Sequence, residues 1–76
     1  MVTTDKSIQM AYMEEACLSR SVGDVVEVLT RIQEKTAHDP VTAKAIFLCM
    51  KELCAEEKDW HKISRLAVDA VDKAHH

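Results

Sequence analysis

The chain has 76 residues, enough for one domain and near the lower limit for burying a core unaided. One Gly, one Pro and 47% hydrophobic residues make it globular rather than disordered, and abundant Ala, Glu, Lys and Leu predict helix in nearly every segment. A formal charge of −3 with mixed signs offers no basic footprint for nucleic acid or anionic lipid.

Met1-Val2-Thr3-Thr4 reads as a loose terminus, with no leading apolar run and hence no expected secretory signal. A first helix is predicted from about Asp5 to Leu18, capped by Thr4 or Asp5. Its apolar residues (Ile8, Met10, Ala11, Tyr12, Met13, Ala16, Cys17, Leu18) spread around most of the circumference, the pattern of a helix that is central or covered by a partner. Ser21 then reads as an N-cap, with Asp24 three residues on in an imperfect capping box. Gly23 is weak inside a helix, so the second helix starts at Ser21 or as late as Asp24, and runs to about Glu34. Val25, Val28, Leu29 and Ile32 fall at i, i+3, i+4 and i+7, one clean buried stripe.

The break at Thr36 to Pro40 is the plainest boundary, because Asp39 is placed to cap and Pro40 suits the first helical position. Helix three, Pro40 to about Glu56, is the most hydrophobic element. Ala43, Ile46, Phe47, Cys49, Met50, Leu53 and Cys54 share an arc of roughly 160° and are the expected buried face. Val41 and Leu48 lie opposite, beside Lys44, Lys51 and Glu52, and mark contact with an outside partner. Asp59 caps helix four, whose stripe is Trp60, Ile63, Ala67, Ala70, Val71 and Ala74; the alternative is a break near Ser64-Arg65. The terminal His75-His76 reads as native sequence or as the start of an affinity tag.

The longest apolar run, Ala45 to Met50, is far short of the roughly 20 residues of a membrane span. Three cysteines, an odd number without a secretory signal, suggest free thiols in a reducing, cytoplasmic setting. All three read as small apolar fillers.

A repeat is visible as well. Ser19-Arg20-Ser21-Val22-Gly23-Asp24 returns, blurred, as Ser64-Arg65-Leu66-Ala67-Val68-Asp69, an offset of 45 residues. Helical repeats of about 40–47 residues stack at this spacing. The run from Ala43 to Lys73 resembles an armadillo or HEAT-type repeat, with Ala45 to Cys54 as its long second helix and Ile63 to Val71 similar to the entry into the third. Ser19 to Ile32 is similar to another copy of that third helix, although Leu66 stands where the family has its turn glycine. The resemblance implies units of about 5–36 and 40–74 in a right-handed stack acting as a binding surface. An up-and-down four-helix bundle explains the same helix count.

Chemistry is poorly provided for. The four histidines and three cysteines form no C-x-x-C or H-x-x-x-H pair, although His61 with Cys54 or Glu57 is the nearest candidate for convergence. Glu14-Glu15 and Glu56-Glu57 are adjacent pairs, which diverge by about 100° on a helix. One glycine excludes a Gly-rich phosphate loop. The expectation is one all-α domain over residues 1–76, with four principal helices, no catalytic residue, no metal and no cofactor. Its function is protein–protein contact, with a second protein or with itself, and no nucleic acid or membrane partner. The candidate contact residues are Val41, Leu48, Met10, Met13 and Trp60. The competing reading is a small Cys/His-dependent enzyme or metal sensor.

Overall fold

A computed structural model describes residues 5–75. The loose terminus expected at residues 1–4 and the last histidine lie outside the described residues. Four helices follow in order: α1 (Lys6–Leu18), α2 (Val22–Lys35), α3 (Pro40–Leu53) and α4 (Trp60–Ala74). Each starts where a short polar side chain turns back on its own backbone. Asp5 Oδ1 accepts from the Ser7 N–H at 2.8 Å, and Ser21 Oγ from the Asp24 N–H at 3.3 Å. Asp39 Oδ1 accepts from the Val41 N–H at 3.0 Å, while Asp59 Oδ1 serves both His61 and Lys62. Donors that the first helical turn leaves unpaired are satisfied in this way.

The turn from α1 to α2 departs from expectation. Arg20 has φ 55°, its N–H donates to the Cys17 carbonyl at 3.1 Å, and the Ser21 N–H donates to the Ala16 carbonyl at 3.0 Å. That is a Schellman closure with arginine where glycine is favoured. Gly23 instead sits inside α2, with open space where a Cβ would be, and the helix begins ahead of it at Val22.

The connections of three to six residues join neighbours in the bundle. α4 touches all three other helices, most extensively α3, and α2 also touches all three. Between α1 and α3 no Cα atoms come within 8 Å of each other among the described residues. The cross-section is therefore a rhombus, with α2 and α4 on the short diagonal and α1 and α3 at the far corners. Lys6 at the start of α1 pairs with Asp72 near the end of α4 at 2.6 Å, and Gln9 meets the His75 ring, so these two helices run in opposite senses. The radius of gyration, 11.2 Å, matches the roughly 11 Å of a compact chain of this length.

The core draws on all four helices: Met13, Ala16 and Cys17; Val25, Val28, Leu29 and Ile32; Ala45, Ile46, Cys49 and Leu53; Ile63, Ala67, Ala70 and Val71. The stripes expected on α2 and α4 are the ones observed, and Trp60 and Ala74 pack on the edge of the core. α4 passes through Ser64-Arg65 unbroken, while its sequence echo, Ser19-Arg20, forms a turn. The alternative of a break in helix four is thereby set aside.

α3 requires a correction. It ends at Leu53 rather than near Glu56, and its buried residues are Thr42, Ala45, Ile46, Cys49 and Leu53. Ala43, Phe47 and Cys54, expected inside, are exposed, and Met50 is half-buried. The helix is turned because Thr42 is locked inward, its hydroxyl donating to Asp39 Oδ2 at 2.6 Å, and because the face it buries carries small residues. Small residues let helix axes approach closely, and α4 answers with Ala67 and Ala70.

Candidate functional site

Six large hydrophobic side chains remain exposed: Ile8, Tyr12, Leu18, Val41, Phe47 and Leu48. All six belong to α1 or α3, the two helices at the far corners of the rhombus. Neither helix has a polar side sufficient to cover its outer surface, whereas α2 and α4 turn charged residues outward. The distribution follows from the sequence, since the first and third helices are apolar around most of their girth.

The expected contact residues divide. Val41 is 56% and Leu48 39% exposed, so both stand at the surface. Met10 and Trp60 are half-buried and pack against the core. Met13 is fully enclosed, at 0% exposure, and leaves the candidate set: it lies on the side of α1 shared with Ala16 and Cys17. Sequence reasoning missed Phe47, 64% exposed, because it counted that residue in the buried arc. Ile8, Tyr12 and Leu18 were visible as apolar residues, but no periodicity on α1 assigns an inside.

Two depressions border α1. One, of about 280 Å³, lies between α1 and the start of α2 and is lined by Tyr12, Glu15, Ala16, Ser19 and Asp24. It combines an aromatic wall with two carboxylates. The other, of about 400 Å³, is an open groove between α1 and α4 lined by Met10, Ser64, Arg65, Val68, Asp69 and Asp72. Its charges are already engaged in part, Asp72 with Lys6 and Asp69 with Lys73.

The thiols are disposed for packing more than for reaction. Burial pushes the Cys49 thiol up to about 12, with Cys17 and Glu52 adding to the effect. Burial also raises Cys17, against a hydrogen bond with Ser64 that lowers it, and Glu14 adds a small push upward. Burial that holds a thiol protonated lowers its thiolate fraction and so its reactivity. Cys54 is exposed, contrary to its expected role as filler. No group of three or more His, Cys, Asp and Glu side chains is assembled for a metal among the described residues, and none of their helices is long and apolar enough to cross a membrane. No buried side-chain nitrogen or oxygen among them lacks a hydrogen-bond partner, so no polar group waits inside for a ligand.

No protein-family model, curated protein or solved structure matches this chain. Any functional reading rests on the residues and surfaces described above.

Proposed function

We propose that this chain is a non-catalytic helical interaction module that acts by protein–protein contact, in the first place with further copies of itself. The observation that carries the reading is the confinement of all six exposed large hydrophobics to α1 and α3. Isolated apolar side chains on a surface are ordinary, but a set gathered on two helix faces of so small a molecule marks contact surface. The acidic balance disfavours nucleic acid and anionic membranes as partners. Three free cysteines suit a reducing, cytoplasmic compartment. The resemblance to armadillo and HEAT repeats agrees with the reading, since such units also bury apolar helix faces against their neighbours.

Sedimentation equilibrium tests it. The weight-average mass is expected to rise with protein concentration, and Val41→Glu or Leu48→Glu to move it toward the monomer. Both sites are exposed, so both variants keep the fold by circular dichroism. A mass that stays monomeric at millimolar concentration, unchanged by either substitution, removes the reading.

A further inference from the structure

The two outward faces are built on one template with opposite charge. On α1 the exposed residues Ile8, Ala11, Tyr12 and Glu15 fall at i, i+3, i+4 and i+7, and on α3 the exposed residues Lys44, Phe47, Leu48 and Lys51 repeat that spacing. Each is a single stripe on the side of its helix turned away from the core. The α1 stripe is acidic: Glu15 is exposed at its end, and Asp24 lines the same depression beside Tyr12. The α3 stripe is basic, and neither Lys44 nor Lys51 has an ion-pair partner among the described residues. The other charges of these two helices are spent at home, Lys6 on Asp72 and Glu52 on Lys62.

We propose that the occupant of the α3 stripe is the α1 stripe of a second copy of this chain, giving a heterologous, head-to-tail contact. This rests on the self-association reading above and specifies its geometry. A two-fold contact of α3 on α3 sets Lys44 and Lys51 against the same lysines, and α1 on α1 sets glutamates against glutamates. Such like-charge contacts are penalised. Only the crossed pairing joins Phe47 and Leu48 to Ile8 and Tyr12 while placing a lysine near Glu15 and Asp24. The depression of about 280 Å³ admits a lysine whose methylene stem lies along Tyr12 and whose ammonium reaches the two carboxylates. Because α1 and α3 occupy opposite corners, each paired copy keeps one unused face, α1 on one copy and α3 on the other. A heterologous contact whose rotation does not close generates an open series rather than a fixed dimer.

Mixing two face-blocked chains tests this. One carries Ile8→Lys with Tyr12→Lys, the other Phe47→Glu with Leu48→Glu; all four sites are exposed, and circular dichroism verifies the helices. The unaltered chain is expected to show an average mass that climbs steadily with concentration. Each blocked chain alone is expected to lose association and sediment as a monomer. Their equimolar mixture is expected to yield a heterodimer, since one intact α1 face then meets one intact α3 face. A blocked chain that still dimerises alone, or a mixture that stays monomeric while the unaltered chain associates, overturns the head-to-tail contact and leaves self-association standing. An unaltered chain that is monomeric throughout removes both.

Discussion

Cys49 sits at 0% exposure on the buried face of α3, its sulfur 4.0 Å from the Ile63 carbonyl, and its thiol is pushed from the ordinary 9.0 up to about 12. The folded chain therefore holds this proton more tightly than the unfolded chain does. The stability linked to it is whole below about pH 9 and is lost as pH climbs toward 12, with a limiting slope of about 1.4 kcal/mol per pH unit. Cys49→Ala leaves a small cavity whose cost does not depend on pH. The stability margin of the unaltered chain over Cys49→Ala is thus expected to shrink as pH rises from about 8 to about 10, read by urea unfolding. A margin that stays flat over that range means the thiol is not sequestered. Other decisive residues are equally local. Thr42 was legible only as a polar residue on an apolar helix, yet its hydroxyl lies at 0% exposure against Asp39 and sets which side of α3 goes inside. Arg20 was not legible as a turn residue, because the sequence places its one glycine three positions later.

At the scale of the element, amphipathicity decided what the sequence disclosed. In α2 and α4 a single stripe is apolar and the rest is charged, so Val25 to Ile32 and Ile63 to Val71 were assigned inward from spacing alone. In α3 nearly every turn offers an apolar residue on each side, and periodicity then ranks arcs by greasiness. It selected Ala43, Phe47 and Met50 beside Ile46, Cys49 and Leu53; packing kept the last three and set Thr42 and Ala45 beside them, which fits a close neighbour. The two assignments predict different mutational costs. Phe47→Ser is expected to change stability by no more than about 0.5 kcal/mol, as for other exposed sites. Ile46→Ala, one residue earlier and 5% exposed, is expected to cost about 2–5 kcal/mol through lost burial and a residual cavity. Chemical denaturation of the two variants distinguishes them, and equal losses mean that α3 is rotated from the orientation described. Capping was read more reliably than orientation. Ser21, Asp39 and Asp59 were expected at helix starts and are found there, and Asp5 caps α1 where the sequence left Thr4 or Asp5 open, since a cap depends on neighbours within three residues.

At the scale of the whole molecule, a chain of 76 residues has an expected stability of only about 4–11 kcal/mol. Three large apolar residues on each of two outer helices stay partly in water, so the self-association proposed above supplies stability beyond that figure by covering them. Anything that binds only the folded state raises stability in proportion to the logarithm of its concentration. When the partner is another copy, each tenfold rise in concentration above the dissociation constant adds about 1.4 kcal/mol, which for a domain of this size is roughly 5–10 °C in Tm. Thermal unfolding across a hundredfold range of concentration is therefore expected to show a rising Tm. With Phe47→Glu and Leu48→Glu combined the slope is expected to vanish, the dilute limit of Tm staying where it was because neither residue supports the core. The separation of slope from intercept matters, since a substitution that damages folding lowers the dilute Tm, whereas one that removes only the contact flattens the dependence. A Tm independent of concentration in the unaltered chain means that α1 and α3 keep their hydrophobic faces in water, and that copies of this chain do not supply the missing cover.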